Sequence, residues 1–361
     1  MQTKTKKTVS FTFLFIGLLL IIFTLFICVQ DPNTASTFLQ PLIVIRGIFF
    51  LSSIALLLIG LYLSPLFSHK TIINFLFLLP VSLAFAMTVI IPFILGVYYS
   101  LTDWNGVTMT KFVGLENYMS FFKTPEYIYA FLATILFTLI NMVLINLMAF
   151  GLSLLVTSKI KGRHLYRAGF FIPNLIGGIV LGYIWQFIFN YVFTNIGSFF
   201  HIGPLSKSLL INPKLAIFAI VIVSTWQYAG YIMMIYVTAI QSIPESILDA
   251  AKVDGASSST KLTKIIIPMV ANSFTICIFL TLVNSFKQFD LNYAITNGGP
   301  SMLFMGKANN STELLALNIY KTAFTRNDMA VAQSKAVVFF VLLAIVALFQ
   351  VYISKKQEVE M

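Results

Sequence analysis

Eight stretches of this chain are apolar for long enough to cross a lipid bilayer, and that feature decides its architecture. A helix needs about 20 residues to cross a hydrocarbon core about 30 Å thick. Runs of that order occur at about 11–30, 43–66, 72–100, 130–156, 168–190, 215–240, 265–287 and 331–354. The chain is 58% hydrophobic and 10% charged over 361 residues, where a soluble domain carries about 25% charged residues. A transmembrane barrel would show short alternating segments instead of continuous runs, and in lipid a helix satisfies its own backbone groups. The expected fold class is an all-α integral membrane protein, a polytopic helical bundle of about eight transmembrane helices. Lys4, Lys6 and Lys7 imitate the start of a secretory signal. The apolar run after them is too long for a signal core and lacks a nearby small-x-small site, so it is read as a retained first helix.

The formal net charge of +11 would suggest nucleic acid in a soluble protein. Here the basic residues gather in short loops, which topology explains better. With the N-terminus inside, one side of the membrane receives Lys4, Lys6, Lys7, Lys70, Lys159, Lys161, Arg163, Arg167, Lys252, Lys261, Lys264, Lys355 and Lys356. The other side receives Lys111, Lys123, Lys207, Lys214, Lys307, Lys321 and Arg326. That bias predicts both termini in the cytoplasm. Longer outer segments are expected at about 101–129, 191–214 and 290–328, the last with a turn at Asn297–Pro300. Cys28 and Cys277 fall inside apolar spans and read as small buried side chains, without a disulfide or metal site.

Between the sixth and seventh spans lies a polar, basic segment at 242–268. Ser242-Ile-Pro-Glu245 predicts a capping box, with Ser242 as N-cap, Glu245 reaching back and Pro244 in the first turn. Ile247, Leu248 and Ala251 share one face at helical spacing. Gly255 is placed to take the left-handed conformation that ends a helix. The result is a rigid, short helix whose small Ala250 and Ala251 leave room for a partner surface. A new helix is expected near Ser257, carrying Lys261 and Lys264, with Pro268 bending the span that follows. That span continues directly from the loop, as one rigid helix.

Polar groups inside spans are expensive in lipid and face a cavity or a neighbouring helix. Trp226-Gln-Tyr-Ala-Gly-Tyr231 opens one such group. Thr281, Asn284, Ser285 and Gln288 recur at three- and four-residue steps along one helical face. Uncharged amides and hydroxyls beside aromatic rings suit a polyol; the competing reading is hydrogen bonding between helices. Trp185, Gln186 and Asn190 are weaker candidates, closer to interfacial anchors.

Asp249-Ala250-Ala251, three residues, Gly255, nine residues and Ile265-Ile-Ile-Pro268 resemble the signature loop of permease subunits in binding-protein-dependent ABC importers. Tyr98-Tyr-Ser-Leu-Thr-Asp-Trp-Asn105, Phe112-Val-Gly-Leu-Glu-Asn-Tyr118, Gly162-Arg-His-Leu-Tyr-Arg167, Phe171-Ile-Pro173 and the Asn297–Pro300 turn resemble the carbohydrate-uptake, maltose-permease branch of type I importers. Within that branch the chain is similar to the first of two permeases. The resemblance covers about 290 residues from Asn74 onward, with Asp249 and Ile267 departing from the usual Glu and Leu. It implies a permease domain at 71–361, with six core helices, and two additional helices at 1–70. It implies ATPase coupling through Glu245, Asp249, Ala250, Ala251, Asp254, Gly255, Ala256 and Pro268. It carries sugar contacts onto Gln227, Tyr228, Tyr231, Thr281, Asn284, Ser285 and Gln288. Implied partners are a second, different permease, two copies of a cytoplasmic ATP-binding subunit holding ATP and Mg, an extracellular solute-binding protein and a sugar, in a prokaryotic cell membrane.

The chain is expected to bind no cofactor, metal or nucleic acid itself. It has no Gly-x-x-x-x-Gly-Lys-Ser/Thr, Gly-x-Ser-x-Gly or His-Glu-x-x-His, so it is read as a transport subunit and not an enzyme. The alternatives are a permease for glycerol phosphate esters or another polar solute, for which Lys287 is the ambiguous residue, and a secondary transporter. Ion coupling usually places a carboxylate or His in the membrane. All twelve acidic residues lie in loops or at span ends.

Overall fold

A computed structural model describes residues 2–29, 45–63, 69–109, 111–158 and 160–355. Lys159, Lys356 and the side chains of Lys4, Lys6, Lys7, Cys28 and Lys355 lie outside the described part. Two compact units divide the chain, Met1–Ile94 and Leu95–Met361. The first contains α1 (Gln2–Val29), α2 (Arg46–Leu63), α3 (His69–Phe85), the π-turn Ala86–Ile90 and the start of α4 (Ile91–Ser100). The third apolar run thus clusters mostly with the first two. α1 and α2 touch through small residues: a Cβ on Gly60 would lie 2.8 Å from the Leu14 backbone nitrogen, and one on Gly17 would lie 2.8 Å from Leu57. Ser10 Oγ donates to the Gly60 carbonyl at 2.7 Å. Close backbone approach of this kind is how helices associate where lipid removes the hydrophobic drive.

The second unit is a helical bundle. Its elements are α5 (Glu116–Phe122), α6 (Pro125–Thr157), α7 (Arg163–Leu175), α8 (Gly178–Phe187), which runs through the π-turn Ile188–Val192 into α9 (Phe193–Phe199), and α10 (Pro213–Gln241). Then come α11 (Glu245–Val253), α12 (Ser258–Lys261), the π-turn Leu262–Ile266, α13 (Ile267–Met269), α14 (Ala271–Phe286) and α15 (Asp290–Thr296). The antiparallel strands β1 (Ser301–Phe304) and β2 (Lys307–Asn310) follow, then α16 (Leu315–Phe324) and α17 (Met329–Lys355). Phe137, Leu181, Phe189, Ile220, Leu291 and Ile295 form one buried cluster. Ile145, Ile232, Met233, Tyr236 and Cys277 form a second, and Cys277 is a free thiol. Large apolar side chains elsewhere stay exposed, such as Leu147 at 67% and Leu348 at 71%. Exposure on that scale marks a surface that faces lipid or a neighbouring subunit.

Among the described residues six helices are long and apolar enough to cross a membrane, and seven if one bent pair counts as a span. A shorter apolar helix, Val9–Thr24, lies within α1. The all-α, multi-pass fold class therefore stands.

Two spans differ from their expected form. The run at 168–190 is not one helix: Ile176 is extended (φ −81°, ψ 128°) and ends α7. The crossing element is Gly178–Phe199 instead. α7 is amphipathic and carries Arg163, His164 and Arg167 beside apolar residues, so hydropathy alone merged a surface helix with a span. The run at 265–287 is broken too. Ser258–Met269 and Ala271–Phe286 meet at 70°, with Val270 out of helical geometry at φ −102°, ψ 15°. Pro268 removes a backbone donor just before that joint. The 242–268 segment is therefore not continuous with α14 through one rigid helix.

Candidate functional site

The polar segment 242–268 forms a short capped helix, but its N-terminus differs from the expected one. Ser242 is the C-cap of α10, and its Oγ donates back to the Ala239 carbonyl at 2.7 Å. Pro244 is the N-cap of α11, with no side-chain capping bond, so the Ser242–Glu245 box does not form. The chain leaves α10 and enters α11 within three residues, and Ser242 is taken by the helix it closes. The C-terminus follows the expectation. Gly255 has φ +72°; its N–H donates to the Lys252 carbonyl at 3.1 Å, and the Ala256 N–H donates to Ala251 at 2.9 Å. Those two bonds are the Schellman pair, and Gly carries no Cβ penalty at the left-handed position. Ser257 caps α12 by accepting from the Thr260 N–H at 3.1 Å.

Glu245, Asp249, Ala250, Asp254, Gly255 and Pro268 are exposed, and Ala256 is half-buried. Ala251 is buried within the chain, so Ala250 alone of the two alanines presents a small outer surface. Val253 is 88% exposed. Asp249 pairs with Lys252 and raises its pKa. The helix is thus exposed, with an apolar side chain at its C-terminal end.

Four of the seven candidate substrate residues meet. Gln227 and Tyr228 on α10, Asn284 on α14 and Gln288 beyond its end line a cavity of about 170 Å³, together with Gly178, Lys287, Phe289 and Asp290. Gln227 donates to the Ile176 carbonyl at 3.3 Å. No hydrogen bond with another described residue engages the side-chain amides of Asn284 and Gln288.

Thr281 and Ser285 are placed elsewhere. Thr281 Oγ1 accepts from Asn146 at 2.8 Å, and Ser285 Oγ accepts from Asn141 at 3.0 Å. The expected single face is two neighbouring stripes: Thr281 and Ser285 point to α6, and Asn284 and Gln288 point to the cavity. Tyr231 packs against the second buried cluster and borders a separate groove with Arg167. Trp185 packs with Trp226, ring centres 5.5 Å apart. Gln186 donates to Ile295 at 3.0 Å, and Asn190 accepts from Ser208 at 2.6 Å.

The segment 149–359 matches the family described as binding-protein-dependent transport system inner membrane component. The chain belongs to that family. It is 43% identical, over 79% of its length and 95% of the relative, to the "Probable starch degradation products transport system permease protein AmyD" of Thermoanaerobacterium thermosulfurigenes. It is 32% identical, over 74% of its length and 90% of the relative, to the multiple sugar-binding transport system permease protein MsmF of Streptococcus mutans. Its fold resembles a chain of a bacterial ABC transporter involved in import of the acidic polysaccharide alginate, with a TM-score of 0.67 at 17% identity, covering 79% of this chain and 95% of that one.

Two polar centres of this inner membrane component were missed in the sequence. Asn141, fully buried, donates to Ser224 and Ser285 and accepts from Thr225. Asn146 donates to Thr281 and accepts from Tyr236 at 2.7 Å. The amides join α6, α10 and α14, and two Asn inside an apolar run were the available signal. The other centre joins Glu313 to the last span. Glu313 accepts from Asn310 at 2.6 Å, Asn318 at 2.7 Å and Lys321 at 3.2 Å. Lys335, 3% exposed within α17, donates to Asn318 and Thr322. Burial raises the Glu313 pKa, but the bonds from Asn310 and Asn318 and the Lys321 charge outweigh it and hold it below the ordinary value. Among the described residues no cluster of His, Cys, Asp and Glu could hold a metal ion.

Leucine at Asn146 keeps the number of side-chain heavy atoms but removes the acceptor of the Tyr236 hydroxyl and the donor to Thr281 in the core. The expected loss is about 1–2 kcal/mol, read as a lower midpoint in thermal unfolding of the solubilised protein. An unchanged midpoint would remove Asn146 from the helix-joining role.

Proposed function

We propose that this chain is the translocating subunit of an importer that moves a sugar or oligosaccharide delivered by an extracellular binding protein. The cavity carries the reading: two carboxamides without hydrogen-bond partners among the described residues, a third amide and a phenol line a space of about 170 Å³. Gln288 is buried and Asn284 half-buried; amides so placed are suited to hydroxyls of a polyol, and rings stack on its C–H faces. The relatives named for starch degradation products and multiple sugars support the same solute class. Lys287 lines the cavity, but so does Asp290, so the lining charges balance and an anionic phosphate ester is the weaker fit.

In this reading ATP and Mg are held by two copies of a cytoplasmic ATP-binding subunit, with α11 docked on them. A second, different permease completes the pathway. Both termini and the 242–268 segment face the cytoplasm, in keeping with the basic residues on that side. The chain itself then carries no ATPase chemistry.

The test is uptake in membrane vesicles holding the full complex. Gln288→Leu and Asn284→Leu are each expected to lower uptake of the native sugar several-fold, since each hydrogen bond contributes about 0.5–1.5 kcal/mol, with complex yield and basal ATP hydrolysis unchanged. Normal uptake by both variants would move the site elsewhere. Failure of both to assemble would make them structural.

A further inference from the structure

We propose that the groove between α7 and α10 is a site for an anionic phospholipid, its phosphate against Arg167 and an acyl chain along the apolar wall. The groove is a cavity of about 420 Å³, separate from the sugar cavity. Ala168 and Phe171 of α7 form one wall, Tyr231, Met234 and Ile235 of α10 the other; the polar groups of the lining are the Arg167 guanidinium and the Thr238 and Tyr231 hydroxyls. An apolar trough with one guanidinium at its edge is poor for a sugar, which needs many hydrogen-bonding partners. It matches a molecule with a hydrocarbon tail and an anionic head.

Arg167 is fixed by one bond, from Nη2 to the Val156 carbonyl at 3.1 Å, and its buried Nε–H has no acceptor. No ion pair reaches it among the described residues, and the sequence holds no Asp or Glu between Glu126 and Glu245. A buried donor without a partner is costly, and a phosphate is the strongest acceptor for a guanidinium.

The surrounding helix has the matching character. α7 exposes Leu165 at 77%, Ile172 at 54% and Leu175 at 68%, while Lys161, Arg163 and His164 are exposed beside it. Apolar residues facing outward on an amphipathic helix, with a basic cluster at one end, are the features of a helix lying in the membrane interface and attracting anionic headgroups. A partner protein helix in the same groove would need its own carboxylate to match Arg167, whereas a phospholipid brings the anion and the apolar chain together.

The full chain, purified in mild detergent and mixed with phosphatidylglycerol or phosphatidylcholine, can be examined by native mass spectrometry. Wild type is expected to retain phosphatidylglycerol several-fold over phosphatidylcholine. Arg167→Gln should abolish that preference, and Arg167→Lys should keep most of it. Ala168→Phe leaves the guanidinium in place but fills the groove, and should reduce retention of both lipids. Should Arg167→Gln not fold, Ala168→Phe and Arg167→Lys carry the test. Equal retention of phosphatidylglycerol by wild type and Ala168→Phe, or no preference in wild type, overturns the proposal, as does crosslinking that shows the groove covered by a co-purified polypeptide.

Discussion

Valine at Gly255 is expected to lower sugar uptake by roughly tenfold or more while leaving the protein folded in the membrane. Gly255 sits at φ +72°, and a Cβ there would meet nothing within 4 Å. The cost is therefore purely conformational, about 1–2 kcal/mol for a side chain forced into the left-handed region. It falls on the closing bonds of α11, from Gly255 to Lys252 and from Ala256 to Ala251. Opening that cap releases the direction of an exposed helix that touches little else in the chain, so global stability should hardly change. If α11 transmits ATPase movement, a misdirected helix should lower uptake by roughly tenfold or more, as 1.4 kcal/mol corresponds to tenfold in an equilibrium. Asparagine tolerates the left-handed conformation, so Gly255→Asn should retain most activity. Uptake, complex yield and binding-protein-stimulated ATP hydrolysis together decide the case. Normal stimulation in the valine variant would end the coupling role.

Gly230→Ala should act in the opposite way, on the fold before function. A Cβ at Gly230 would lie 1.8 Å from the Phe170 carbonyl oxygen and 2.4 Å from its carbon. Both are backbone atoms, so no side-chain rotation relieves the clash and α7 must move off α10. Overpacking typically costs about 1–3 kcal/mol, and a contact with rigid backbone belongs at or above the top of that range. The displacement reaches the cavity, because the Ile176 carbonyl that closes α7 accepts from Gln227. The expected result is a clearly lower unfolding midpoint and loss of uptake. Gly151→Ala is the matched control: nothing lies within 4 Å of its Cβ position, and alanine favours a helix by about 1 kcal/mol over glycine. Equal behaviour of the two variants would show that the α7–α10 approach is not tight.

Much of the short helix α11 was legible in the residues themselves. Its end at Gly255 and the restart at Ser257 rest on bonds within a few residues, so local spacing predicts them. Its start was misread for a reason equally local: Ser242 closes α10 before it can open α11, and two helices compete for one hydroxyl. The candidate substrate face shows the limit of periodicity. Thr281, Asn284, Ser285 and Gln288 share a helical spacing, and only the position of Asn141 and Asn146 on α6 separates interhelical groups from cavity groups.

The apolar runs by themselves determined that this chain is an all-α membrane protein, because in lipid each crossing segment must satisfy its own backbone. The left-handed close of α11 was likewise determined in sequence, since glycine adopts it at the least cost of any residue. Tertiary packing decided the rest. It broke the run at 168–190 into a surface helix and a span, and it buried Lys335 against Asn318 and Thr322; the bend after Pro268 was in the sequence, but its angle of 70° was not. Hydropathy sums apolar residues along the chain without regard to direction. Where a helix ends, and which polar group faces a cavity, depends on neighbours far away in sequence that local pattern does not contain.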